Sequence, residues 1–316
     1  MAHGITETDK VAFSRTPAWH GLGTVTDHMM TPDEAYELAG LDWEVELHPV
    51  AANLPDGSTI DLPQTRALVR QDTRKVLGTT GLIYKPYQNR ELKSFLKAVV
   101  GEGAGIESCG SLWGGQKVWF LVNTRHSFEV LPNDEVKSYL LFVNGHADCM
   151  AQAMGTGVRV VCQNTMTMAM GDGTRVRGHR IRHDGRLHDN IEEAKVALKL
   201  AAASADRMKV EAEALVRKQL KTDELAAFFA GIVRDMEVGE KREKEVLTQF
   251  HTLLESDTNT MAGMRGTAWA AFNTYTEWLD HQPRRMSAMS RFDSNLMGEG
   301  ARLKNEAWRT LLSTAV

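Results

Sequence analysis

The sequence predicts an α+β fold: a β-meander sheet with packed helices, followed by a mostly α-helical C-terminal part. Residues 106–145 alternate apolar runs with a Gly-Gly turn, the pattern of a meander. From about residue 190 the chain becomes rich in Ala, Leu, Lys and Glu at helical spacing. No internal repeat or low-complexity linker interrupts this order, so the composition divides the chain into an α+β domain, 1–188, and a helical domain, 189–316.

Each element has its own signal. Residues 1–10 are polar and expected to be mobile. Residues 13–23, FSRTPAWHGLG, mix aromatics with Gly and Pro and read as a structured loop. Thr31-Pro32-Asp33-Glu34 is a helix start: Thr31 caps, Pro32 suits the first helical position, and two acids complement the dipole. That helix should run to Ala39 and stop at Gly40. Residues 43–50 alternate like a half-buried strand, Asn53–Gly57 is a turn, and strands are expected at 65–71 and 76–84. Asn89 to Val100 is an amphipathic helix with Leu92, Phe95, Leu96 and Val99 on one face. In the meander, residues 111–123 form a hairpin and Lys137 to Asn144 a further strand. Residues 158–170 read as a short strand leading into a helix. Helices follow at 190–220, 222–235, 240–255, 267–281 and 296–312. In the fourth of these, Trp269, Phe272, Tyr275 and Trp278 recur at the spacing of a core face.

Composition excludes several function classes. The chain has 316 residues, 42% hydrophobic and 25% charged, ordinary for a folded globular protein. No window reaches the roughly 18 uninterrupted apolar residues of a membrane helix, and the start lacks the pattern of a secretory signal. The cysteines Cys109, Cys149 and Cys162 are too few and scattered for a disulfide framework, which favours a reducing, cytoplasmic setting. The net charge of -4 argues against a uniformly basic nucleic-acid binder but allows a local basic patch. His179, His183 and His188 sit in a Gly-containing basic segment without CxxC or HExxH, so no metal is expected. There is no GxSxG elbow, Walker loop or GxGxxG after a strand, so no enzyme and no cofactor is expected. The best enzymatic alternative is Cys162 with a histidine, and no spacing supports it.

The local basic segments carry the functional signal. Residues 175–188 hold Arg175, Arg177, Arg180, Arg182 and Arg186 with three histidines and one acid. Guanidinium forks match phosphate oxygens, so such a loop suits a nucleic-acid backbone. Arg66, Arg70, Arg74 and Lys75 form a smaller cluster, in which Arg66 and Arg70 share one face of a strand. Trp113 in the Gly-Gly hairpin is a candidate platform for base stacking.

Several segments together resemble the phage/plasmid-like protein family, domain of unknown function 932. They are Trp19-His20-Gly-Leu-Gly23, Ser111 to Trp119, Arg159-Val-Val-Cys-Gln-Asn-Thr165, Thr267 to His281, and Gly298-x-Gly-Ala-x-Leu-Lys304. They span nearly the whole chain. Members are typically carried by phages, prophages and plasmids, and the family name states no activity. The helix ending in Gly40, the strand from Trp43, and the meander with a following helix are also similar to the Rad fifty-two type of single-strand annealing protein. That resemblance implies a sheet and helix lining a basic groove, with protomers assembled into rings. It would place Arg159 near the groove and the 175–188 loop at its border. The chain departs from it in having Arg159 as the single basic residue of 158–170. The expectation is a non-catalytic single-stranded DNA binding and annealing protein of phage or mobile-element recombination, forming homo-oligomers. The alternative is a phage-encoded interaction module acting on a host or phage protein.

Overall fold

The computed structural model describes residues 6–15, 23–101, 103–147, 150–161, 164–167, 179–180, 187–281, 294–295 and 298–313. The fold is α+β, as expected: two sheets in the first half and helices after them. Strands β1 (Val11–Ser14) and β2 (Thr24–Thr26) precede helix α1 (Pro32–Leu38). Strands β3 (Val45–Asn53), β4 (Thr59–Arg70) and β5 (Val76–Thr80) form a three-stranded antiparallel sheet in that order. After helix α2 (Asn89–Gly101) come β6 (Gly105–Leu112), β7 (Lys117–Glu129), β8 (Glu135–Gly145) and β9 (Met150–Arg159). Of these, β6, β7 and β8 pair antiparallel as the meander expected over 106–145, and β9, which begins eight residues before the strand expected at 158, extends it. The main sheet runs β10-β9-β8-β7-β6-β1-β2, where β10 is Asn164–Thr167. Strand β11 (His179–Arg180) shares the outer edge of β9 with β10. Helices α3 (Leu187–Arg217), α4 (Thr222–Asp235), α5 (Glu240–Leu254), α6 (Ala268–His281) and α7 (Glu299–Ser313) complete the described chain.

Two readings change. Residues 164–167 continue as a strand rather than opening a helix, because β9 offers an unpaired edge and Thr165 and Thr167 tolerate extended backbone. Residues 11–14, within or next to what reads as polar tail and loop, are a strand between β6 and β2. Four residues are too few for an alternation signal, and their order comes from the edge they join.

Local chemistry explains the best-placed elements. Thr31 accepts from the Glu34 amide and Glu34 accepts from the Thr31 amide, a reciprocal capping box with Pro32 at the first position of α1. The apolar stripe of α2 (Leu92, Phe95, Leu96, Val99) is fully buried. It packs in a first core with Ile106, Val118, Phe120, Val122, Leu140 and Phe142 from one face of the meander.

A second core gathers α4, α5, α6 and α7 around α6, whose residues 268–276 are all buried. Trp269 and Phe272 meet Trp308 edge-on, with ring centroids 6.0 and 4.8 Å away, the favoured aromatic geometry. Helix α3 belongs to both cores: Ala197 and Ala201 pack in the first, Met208, Ala212 and Leu215 in the second. It lies close on β9, where a Cβ on Gly157 would fall 2.8 Å from Met208 Sδ. No helix among the described residues is long and apolar enough to cross a membrane.

Candidate nucleic-acid interface

The turn between β6 and β7 and the turn between β4 and β5 meet at one end of the main sheet. Trp113, Gly114 and Gly115 all take left-handed backbone, with φ of 53°, 71° and 97°. The two glycines adopt it freely, whereas a tryptophan there is strained and must be held by its surroundings. Side chains are excluded as well: a Cβ on Gly114 would meet Lys75 Nζ at 2.3 Å, and one on Gly115 the Trp43 ring at 2.9 Å. Asp9, itself buried, fixes the turn by accepting from the Gly114 amide and the Ser111 hydroxyl, each at 2.7 Å.

Two lysines flank the tryptophan. Lys75 donates from Nζ to the Trp113 carbonyl at 2.5 Å, and Lys117 Nζ lies 5.3 Å from the Trp113 ring centroid. Trp113 is half-buried and packs against the cluster of Val11, Leu112 and Trp119, with Lys117 over its ring and Lys75 on its carbonyl. An exposed π-face beside cations can take a base and the neighbouring phosphate. Lys117 escapes sequence reasoning because it is a single lysine in an apolar strand. Its signal is the pairing of Leu112 with Lys117 across the Gly-Gly turn, which returns residue 117 to the side of Trp113.

The expected basic residues separate into distinct environments. Arg74, from the β4–β5 turn, is exposed and reaches Glu46 at 3.1 Å. Arg66 is half-buried and donates to the Pro63 and Thr65 carbonyls at 3.2 and 2.9 Å. Arg70 shares its strand face but points inward. Its side chain is 4% exposed, it grips Asp72 at 2.7 and 2.9 Å, and its guanidinium lies 4.4 Å over the Trp43 ring. That contact holds the Asp72 carboxyl below the usual carboxylate range. Arg70 therefore supports the turn from beneath and presents no charge to solvent.

Arg159 departs furthest from its expected place near a groove. Its side chain and that of Asp134 are both 0% exposed, joined through Nε to Oδ1 at 2.5 Å. Asp134 also accepts from the Trp269 indole at 2.8 Å, and the guanidinium donates to the Thr258 carbonyl at 2.7 Å. Asn259 and the sulfurs of Met261 and Met264 close the pocket. A charge buried this deeply persists because it is paired and hydrogen-bonded, and here it ties the meander to the helical part. Arg159, the last residue of β9, pairs with Val136 near the start of β8, whereas Lys117 pairs with Gly145 at the end of β8. The two are separated by about 30 Å of strand, so they cannot belong to one small site.

Arg180 is placed by its backbone alone, opposite Gln152 on the β9 edge. Arg175, Arg177, Arg182 and Arg186 lie outside the described residues, as do Trp19, Cys149, Cys162 and His183. Cys109 is fully buried, and burial pushes its thiol pKa up, which makes it unreactive. Among the described residues no cluster of His, Cys, Asp or Glu could hold a metal ion.

No curated protein and no solved structure matches the chain. A family model does, over residues 76–308, from the first residue of β5 into α7. That span is well over half of the sequence, and the chain belongs to the family described as Domain of unknown function (DUF932).

Proposed function

We propose that this chain is a non-catalytic single-stranded DNA binding and annealing protein, self-assembling, and serving recombination or replication of a phage or another mobile element. The observation that carries this reading is the grouping of the half-buried Trp113, Lys75 and Lys117 at one end of the sheet. A stacking platform with flanking cations holds a strand by its bases and phosphates and needs no sequence readout. The resemblance of the meander and its helices to Rad fifty-two type annealing proteins supports the same reading, as do the arginines of 175–188. Arg66 on β4 and Arg74 in the β4–β5 turn, the latter paired with Glu46, add to the basic residues near this end, while Arg70 acts beneath them. Annealing requires no general base: cations hold the backbone while bases stay free to meet a complement.

The test is a titration of a labelled single-stranded oligonucleotide across a salt series. Binding at low salt that weakens steeply as salt rises is the expected result. No binding at low salt overturns the reading.

A second reading has its own observation. The hairpin of β3 and β4 exposes Leu54, Ile60 and Leu62 and carries no lysine or arginine over residues 49–65. Such an apolar, acidic arm suits a protein surface, favouring an interaction module.

A further inference from the structure

One peptide group in the β6–β7 turn is gripped by opposite charges at its two poles. It joins Trp113 to Gly114. Lys75 Nζ donates to its carbonyl at 2.5 Å, and the Asp9 carboxylate accepts from its N–H at 2.7 Å. In a trans peptide the C=O and N–H point in opposite directions, so the two contacts hold it from opposite sides. Rotating it would turn the carbonyl toward Asp9 and the N–H toward Lys75, so both contacts resist the same motion. That resistance matters here, because Trp113 is the one bulky residue in three successive left-handed positions. Such a residue persists only where its surroundings over-determine it.

The two grips differ in how firmly they are anchored. Asp9 is 7% exposed, and its carboxylate accepts four hydrogen bonds, all from neutral donors. Two cross to the hairpin, from the Gly114 amide and the Ser111 hydroxyl. Two come from the Thr6 amide and hydroxyl, both at 2.9 Å, and close residues 6–9 into a strap. A carboxylate taken out of water needs such donors in place, so it does not leave them readily. The strap is tied down on both sides of Asp9. The Thr8 carbonyl accepts from the Arg70 guanidinium at 3.3 Å, and the Lys10 carbonyl accepts from the Ser111 amide at 3.1 Å, which leads into β1. Lys75 is only half-buried and sits on a turn, and its partner is a neutral carbonyl. A phosphate would be the stronger acceptor for its ammonium.

We propose that Asp9 is the positioning residue of the Trp113 site. Its carboxylate holds the 113–114 peptide, and through it the ring, in place when Lys75 leaves the Trp113 carbonyl for a phosphate. Without Asp9, binding a phosphate through Lys75 would release the strained turn, and stacking and charge contact would compete. With it, the two act together. Asp9 is itself a buried anion and no ligand for nucleic acid. The inference rests on the reading of Trp113 and Lys75 as a single-strand site and adds the strap that keeps the site in shape.

The test uses the full chain with Asp9→Ala, Asp9→Asn, Trp113→Ala and the double variant Asp9→Ala/Trp113→Ala. Amide hydrogen exchange read on peptides reports on the turn without DNA. Asp9→Ala is expected to speed exchange at Gly114 by about tenfold or more, as expected for losing a hydrogen bond to a charged group. Peptides from α2 and α6 are expected to keep wild-type rates, which separates a loosened turn from a failed fold. In oligonucleotide titration Asp9→Ala is expected to lose about 5- to 150-fold in affinity, the range for one stacked base. Asp9→Asn keeps one acceptor oxygen and is expected to lose less. The double variant is expected to bind within about twofold of Trp113→Ala, because Asp9 acts through that ring. A role in general stability would instead make the two losses multiply. Unchanged exchange at Gly114, or losses that multiply in the double variant, overturn the proposal. A wild type that binds while Asp9→Ala binds equally well overturns this inference alone. A wild type that does not bind at low salt overturns the single-strand reading beneath it.

Discussion

Arg159 and Lys75 are cations of similar promise on paper, yet they do opposite work. Arg159 has no solvent exposure and is saturated by Asp134, Thr258 and Asn259. Lys75 is half-buried and bonds the backbone carbonyl of the half-buried Trp113. Once a charge has left water and found a partner, it serves the fold, because releasing it for a ligand would leave the partner stranded. A charge held by a neutral carbonyl at the surface can still meet a phosphate. The distinction is set by burial and partners, not by residue type.

The largest effect expected from this contrast is on stability. Arg159→Ala leaves Asp134 buried without its cation and should cost about 3–5 kcal/mol, read as a lower urea midpoint. Replacing both partners with apolar residues should recover much of the loss, since the desolvation penalty disappears with the charges. If Arg159→Ala unfolds like wild type but loses DNA binding, the contrast is broken.

Next comes Trp113→Ala, which should weaken oligonucleotide binding by about 1–3 kcal/mol. Trp113→Phe keeps a ring for stacking and should retain most of the affinity. Smaller again is the effect of Lys75→Met or Lys117→Met. Each should flatten the slope of log affinity against log salt by about one, whatever the oligonucleotide sequence.

The smallest effect concerns Asp72, whose carboxyl titrates lower in the fold than in the unfolded chain because Arg70 bonds it. A lowered folded value adds stability above the unfolded carboxylate value of about 3.9, and this is lost as pH falls through the folded value. The side chain is 43% exposed, so solvent screening keeps the contribution under about 1 kcal/mol. Asp72→Asn should therefore lower stability slightly at neutral pH and converge with wild type in acid, as urea midpoints along a pH series would show.

Much of the fold was legible because local signals and tertiary context agree. The capping box at Thr31 and Glu34, the Gly-Gly turn of the meander, and the aromatic spacing of α6 each act within a few residues. Strand β4 was legible only in its second half. Its first residues, Thr59–Asp61, gain their pairing from Asn53–Ala51 of β3 and not from any alternation of their own. The candidate site was legible in Trp113 and Lys75, whose proximity depends on two turns meeting. Arg70 and Arg159 misled because sequence shows that a residue is charged but not which acid, distant by up to 25 residues, faces it inside. The family model begins at residue 76, so the arm and the arginines of β4 lie in the part of the chain it leaves out.

Where a single strand touches the protein distinguishes a stacking site at Trp113 from every other surface most directly. A single-stranded oligonucleotide carrying a halogenated uracil, bound at low salt and irradiated, marks the aromatic side chain against which its base stacks. Peptide mapping should place the crosslink at Trp113, and Trp113→Ala should abolish it. Crosslinks confined to the β3–β4 arm or the helical part, with none at Trp113, would contradict the account.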